Sequence, residues 1–218
     1  MWLDNIWIFL ERFVNNFCNQ INMKNSYSLL DKMWLGYCLI RTKLICPKAK
    51  LFCRPFDLRG RKFVKFGECL SIGKCARIEV FKNDRNTPSL VFGNNVQLND
   101  FVHIVAMDSV VIGNNVLMAS HIFISDNSHG SYHGDDDDSD PQVPPIKRKY
   151  PTNPISIGNN TWICEGVMVM PGASIGKGCV IGAHSIVRGT IPDYCIAVGN
   201  PAKIIKKYNF ETKRWERT

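Results

Sequence analysis

The chain has 218 residues, 45% of them hydrophobic, with a net charge of +8. That is the composition of a globular protein with a core to bury. The cations are scattered in short clusters (Arg59/Arg61/Lys62, Lys147/Arg148/Lys149, Lys203/Lys206/Lys207), which argues against a continuous nucleic-acid groove, and no apolar run is long enough for a membrane-spanning helix.

Residues 1–44 read as helical. Trp2, Leu3, Ile6, Trp7, Phe9, Leu10, Phe13, Val14 and Phe17 recur at three- and four-residue steps, with Asp4, Asn5, Glu11 and Arg12 on the other face. Asn25-Ser26 is the expected cap of a second helix carrying Leu29, Leu30, Met33, Trp34 and Tyr37. No basic region precedes the first apolar stretch, so a secretory signal is not expected. Two uses fit residues 1–40: packing on the body or on a sister subunit, and peripheral contact with a membrane surface. The scarcity of basic residues in the first helix favours packing.

From residue 45 a period of six sets in. Ile45 and Leu51 are one step apart, and Phe66, Ile72 and Ile78 continue the count. Residues 82–89 break it. It resumes at Phe92, Leu98 and Ile104, slips by two, and resumes at Ile112, Met118 and Ile124. After a second break, Ile157, Ile163, Val169, Ile175, Ile181 and Val187 keep it without interruption. A six-residue period is the mark of a parallel β-helix, three short strands to a coil. The slip puts Phe92 and Ile112 one coil plus two residues apart. Gly93-Asn94-Asn95, Gly113-Asn114-Asn115 and Gly158-Asn159-Asn160 recur in phase, and both residue types tolerate the positive φ of a tight corner.

Residues 126–154 interrupt the coils and must project from them; a loop of this length is functional or disordered. Its acidic run, Asp135 to Asp138, reads as solvated charge that can pair with Lys147-Arg148-Lys149. The nine cysteines are odd in number and form no CxxC pair, which points to buried free thiols in a reducing cytoplasm rather than to disulfides or structural zinc.

The run Pro154-Ile155-Ser156-Ile157-Gly158-Asn159-Asn160-Thr161-Trp162-Ile163 resembles the hexapeptide-repeat O-acetyltransferases. So do Pro171-Gly172-Ala173-Ser174-Ile175-Gly176, Ile181-Gly182-Ala183-His184-Ser185-Ile186-Val187 and Gly199-Asn200-Pro201-Ala202-Lys203. The resemblance spans residues 65–208. Leu98–Ile104, Ile124–Gly130 and the tail Lys206–Phe210 with Trp215–Arg217 are most similar to the enzymes that acetylate bacterial capsule or O-antigen polysaccharides. The resemblance implies an all-β, left-handed parallel β-helix. It also implies a homotrimer with sites between subunits, acetyl-CoA as acyl donor, a sugar acceptor and no metal. The organisation expected is a helical segment 1–44, a β-helix domain 45–192 with the loop 126–154 extruded, and a C-terminal extension 193–218. The location expected is cytoplasmic, with the inner face of the membrane as a further reading.

Acetylating a hydroxyl requires a base, and imidazole suits the task near neutral pH. The resemblance assigns that role to His129, with Asp126 or a backbone carbonyl orienting the ring; His133, His121 and His103 are weaker candidates. Many relatives carry a histidine where this chain has Asn127. Asn127, His103 and Trp162 are expected on the substrate side. Ala183 is expected along the pantetheine arm, and Arg188, Lys203 and Lys206 near the phosphates of CoA. Backbone N–H groups are expected to hold the oxyanion. Three rivals stand beside this reading. One is a different acceptor: an antibiotic, a small sugar or a sugar nucleotide. Another is a non-catalytic scaffold. The third is a metal enzyme like the γ-class carbonic anhydrases, which needs three converging histidines. The hexad count opposes the third, because it puts His103 and His129 on different sides of the prism.

Overall fold

The computed structural model describes residues 27–81 and 87–218; the first predicted helix, the Asn25-Ser26 cap and most of the 82–89 break lie outside the described residues. Among the described residues one helix, α1 (Leu29–Ile45), precedes the coils. Its cap is Ser28, not Asn25-Ser26. The Ser28 hydroxyl oxygen accepts from the Asp31 N–H at 3.2 Å, and the Asp31 carboxylate accepts from the Ser28 N–H at 3.1 Å. This reciprocal box satisfies two of the helix's orphan donors. Leu35, Cys38 and Leu39 are buried against Leu51, the start of the first strand. Thr42, also buried, accepts from the Phe52 N–H at 2.7 Å and so closes a donor on that edge strand. Ile45, expected to open the first hexad, instead ends the helix.

The body is a left-handed parallel β-helix with three faces. The first face is a nine-stranded sheet that begins at Leu51–Phe52 and runs through Ser71–Ile72, Gln97–Leu98, Leu117–Met118, Trp162–Ile163, Val180–Ile181 and Cys195–Val198. The second face begins at Phe56–Arg59 and includes Ala76–Val80, His103–Ala106, Phe123–Ser125, Met168–Val169 and Ile186–Val187. The third runs from Val64–Lys65 to Thr190–Ile191. The hexad residues stack as the period requires: Ile72, Leu98, Met118, Ile163 and Ile181 in one buried ladder, Ile78, Ile104, Ile124, Val169 and Val187 in the next. Each of these burials contributes roughly 1.5–3 kcal/mol. The two-residue slip is real, since Phe92 pairs with Ile112, twenty positions on.

The corner between the third and first faces divides a task that the sequence assigned to Gly and Asn jointly. Positive φ falls on the second Asn: 57° at Asn95, 56° at Asn115 and 58° at Asn160. The preceding glycines are needed for space. A Cβ on Gly93 would stand 2.6 Å from the carbonyl carbon of Gly113, and one on Gly113 would stand 2.8 Å from the backbone nitrogen of Asn159. The first Asn ties successive coils: Asn114 Oδ1 accepts from Asn94 N–H, and Asn159 Oδ1 from Asn114 N–H, both at 2.7 Å.

The cysteines only partly match the expectation of buried thiols. Cys38, Cys46, Cys179 and Cys195 are buried, and Cys53 and Cys164 are half-buried. Cys69 and Cys75 are exposed at corners, each at a φ of 56°; Cys18 lies outside the described residues. Desolvation, with the neighbouring Cys38 adding to it, pushes the Cys53 thiol up to about 12.

The parallel coil runs past residue 192. Cys195–Val198 still pairs with Val180–Ile181, and the extension proper is an antiparallel hairpin of Lys203–Asn209 and Arg214–Arg217. Ala197 faces Ile204 and Ile196 faces Lys206, which leaves Ile205 as a bulge.

Candidate active site

The site is built where the chain leaves the coils, at the corner between the second and third faces. The two extra residues after Ile104 widen that corner and turn three backbone N–H groups inward. Asp126 meets them. Its fully buried carboxylate accepts from Met107, Asp108 and Ser109, each at 2.8 Å. Asp126 is therefore occupied by backbone and does not orient an imidazole. Burial pushes its pKa up, against the three N–H groups that act in the other direction.

Beyond Asp126 the loop has a closed neck. Asn153 N–H donates to the Asp126 carbonyl at 2.8 Å, Ser128 N–H donates to the Pro151 carbonyl at 3.2 Å, and Asn127 bridges Thr152. The chain then turns back over the second face and roofs a cavity of about 530 Å³. Glu79, His103, Ser125, Asn127 and His129 give it polar groups; Phe81, Val105, Met107, Phe123, Tyr150 and Met170 give it apolar walls. A small number of convergent polar groups in an apolar pocket is the usual form of a ligand site.

Two imidazoles share this cavity, contrary to the hexad count. The count assumes that the chain stays on the prism to residue 129, whereas the neck lifts it off at Asn127 and returns His129 toward the second face. His129 is exposed, with Tyr150 edge-on to its ring at 4.7 Å between centroids. The His103 Nε2 lies 3.1 Å from Glu79 Oε2, and its ring stands edge-on to Phe123 at 5.3 Å. Glu79 also accepts from Arg77 (Nε, 2.8 Å) and Arg59 (Nη1, 2.9 Å). Burial alone would raise the Glu79 pKa, but hydrogen bonds from Arg77 and His103 outweigh it and hold the carboxyl below the ordinary value.

Side chains of the loop, which carry no signal of their own in the sequence, hold the backbone at His129. The Tyr132 hydroxyl donates to the His129 carbonyl at 2.6 Å and accepts from Arg148 Nη1 at 2.7 Å. Arg148 Nε donates in turn to the Val143 carbonyl at 2.8 Å. Gly130, at a φ of 116°, leaves the space this ring needs, because a Cβ there would lie 2.6 Å from the Tyr132 oxygen. Only the short His-Gly pair signals this arrangement in the sequence. At the loop tip, Asp138 accepts from the His133 and Gly134 N–H groups, and Asp137 pairs with Lys149 at 3.6 Å. His121 lies elsewhere, stacked on Phe101 at a corner between the first and second faces. Among the described residues no three His, Cys, Asp or Glu side chains converge as metal ligands.

The remaining predicted residues lie apart from the cavity. Trp162 is on a strand, not at a corner; its half-exposed ring sits in an outward row of the first face, Leu117–Trp162–Val180–Ile196–Lys206–Arg217. Lys203, opposite Val198, shares that side because the Ile205 bulge restores the phase. Ala183 is exposed in the turn between the first and second faces, and Arg188 is exposed one coil beyond Met170 at the loop's corner. One chain thus collects His103, Asn127 and His129 in a cavity, and Trp162, Lys203 and Lys206 on a different face.

Residues 154–189 match the bacterial transferase hexapeptide family (six repeats). The "Putative lipopolysaccharide biosynthesis O-acetyl transferase WbbJ" of Escherichia coli K12 is 38% identical over 197 residues, 90% of this chain and 98% of that protein. Galactoside O-acetyltransferase of the same organism is 36% identical over 123 residues, 56% of each chain. A hexapeptide-repeat-containing acetyltransferase of Vibrio cholerae O1 biovar eltor, solved in complex with acetyl-coenzyme A, superposes with a TM-score of 0.55 at 20% identity. The superposition covers 67% of this chain and 72% of that one, a likeness of fold.

Proposed function

The chain belongs to the bacterial hexapeptide-repeat transferase family, and from that premise we propose that it moves an acetyl group from acetyl-CoA to a sugar hydroxyl of a surface polysaccharide, with His129 as general base. The observation that carries the reading is the cavity at the loop's root, where two imidazoles meet an aromatic and aliphatic wall. The likeness along nearly the whole length of a protein named for lipopolysaccharide O-acetylation supports a lipopolysaccharide sugar as acceptor. Capsule polysaccharide is the related alternative.

A sugar hydroxyl ionises far above neutral pH, so it needs a base as it attacks the thioester carbonyl. The His129 imidazole takes that proton and returns it to the departing thiolate of CoA. His103, held by Glu79, and Asn127, held by Ser125, offer fixed hydrogen-bonding groups for the acceptor. Backbone N–H groups hold the developing oxyanion. Trp162, Ala183, Arg188, Lys203 and Lys206 are the groups proposed for CoA. Trp162 and the two lysines stand on another face than His129. A trimer that lays the first face of one subunit beside the second face of the next completes the site. A cytoplasmic location gives access to acetyl-CoA.

The test is acetyl-CoA turnover, read as thiol release, with O-antigen oligosaccharide from the host strain as acceptor. His129→Ala is expected to lower kcat by roughly 10²–10⁴ with the fold intact. Turnover at the wild-type rate would remove His129 from the role. Mass spectrometry of the polysaccharide with and without the gene tests the acceptor, and an unchanged acetylation pattern would count against it.

A further inference from the structure

Helix α1 has two apolar faces, and among the described residues only one of them has a partner. Leu35, Cys38 and Leu39 are buried against the first strand. Leu29, Leu30, Met33, Tyr37, Ile40 and Leu44 are all exposed, Leu30 by 76% and Leu44 by 73%. At 3.6 residues per turn these six fall within an arc of about 100°, on the side of the helix away from the buried face. Arg41 borders this stripe on one side and Lys32 and Lys43 on the other. The charge around it is lopsided. Residues 27–65 hold ten of the chain's Lys and Arg and two of its Asp and Glu; Lys48 and Arg59 pair with Glu68 and Glu79 beyond that stretch, and the excess stays positive.

We infer that this end of the protein docks on an anionic lipid bilayer, with the stripe of α1 lying in the interface plane and the surrounding cations against the headgroups. An apolar stripe bordered by cations is the pattern of an interfacial helix, and an anionic surface attracts a basic patch at about 1 kcal/mol per cation. A twofold contact with a second copy fits less well, because it would bring two basic collars together. Among the described residues no helix is long and apolar enough to cross a membrane, so the contact is peripheral. The inference is independent of the catalytic reading.

The experiment is co-sedimentation of the full chain with phosphatidylcholine vesicles, with and without phosphatidylglycerol. Wild type is expected to pellet only with the anionic vesicles and to be released by high salt. Ile40→Glu with Leu44→Glu is expected to weaken binding about a hundredfold or more, and Arg41→Gln about fivefold. Acetyl-CoA turnover, circular dichroism and mass by light scattering should not change. Leu30→Glu with Met33→Glu repeats the test at the other end of the stripe if the first pair misfolds. Wild type that stays in solution with anionic vesicles, or charged variants that bind as wild type does, would overturn the inference. A changed assembly mass would overturn it too, by making the stripe a contact between copies.

Discussion

Two corners of the same prism are built on opposite plans. Between the third and first faces three coils repeat one device: a glycine where the next coil's backbone presses close, an Asn whose amide oxygen reaches back one coil, and a second Asn at positive φ. Between the second and third faces no two coils are alike. One carries a two-residue insertion, the next a closed-neck loop, and a buried aspartate joins them. The repeated corner satisfies its own hydrogen bonds from coil to coil. The irregular corner holds the cavity. In this molecule repetition builds the coils, and a break in repetition builds the cavity.

Substitutions can separate the two plans. Gly113→Val strikes the repeated corner, where a Cβ would meet the Asn159 Oδ1 at 2.5 Å, an oxygen held by the Asn114 N–H, and the Asn159 backbone nitrogen at 2.8 Å. It is expected to cost about 3 kcal/mol, roughly 6–12 °C in thermal midpoint for a chain of this size, and an unshifted melting curve would refute the steric account. Tyr132→Phe strikes the irregular corner. It removes the hydroxyl that joins the His129 carbonyl to Arg148. The expectation is a kcat about tenfold lower, an unchanged KM for acetyl-CoA and a midpoint nearly as in wild type. If melting falls and kcat holds, Tyr132 belongs to the scaffold. The smallest effect is expected from Glu79→Gln, on the face between the corners. The folded-state pKa of Glu79 lies below its ordinary 4.5, so its stabilisation is complete above that pH and fades as acid is added through the lower folded value. Urea midpoints measured on the acid side of pH 4.5 should therefore fall more steeply in wild type than in the variant. Parallel slopes would mean that the Arg77, Arg59 and His103 contacts contribute no net stability.

How far the sequence could be read follows the same division. The hexad phase named the buried ladders and the Phe92–Ile112 step, because an inward aliphatic every six residues is a direct imprint of packing. It also located the loop. It misjudged what lies off the prism. Asp126 was expected beside an imidazole, and its three backbone donors could not be foreseen, since N–H groups leave no trace in residue identity. His103 and His129 were counted apart because a period has no meaning once the chain has left the coil. Lys203 and Lys206, three apart on a strand, should face opposite ways; a bulge at Ile205, invisible to periodicity, puts them together. The start of α1 was missed by two or three residues because Asn25-Ser26 and Ser28 are chemically similar caps, and only the reciprocal bond with Asp31 distinguishes them.

The neck of the loop separates what the protein must keep from what it can change. Asp126 fastens the coil below, and Asn153, Pro151 and Thr152 fasten the returning strand, so the ends of the excursion meet whatever runs between them. Closure entropy grows only slowly with loop length. A change of length at the tip of the excursion is therefore expected to cost little, as long as the Tyr132–Arg148 clamp that crosses the loop is kept. The coils beneath stay as they are.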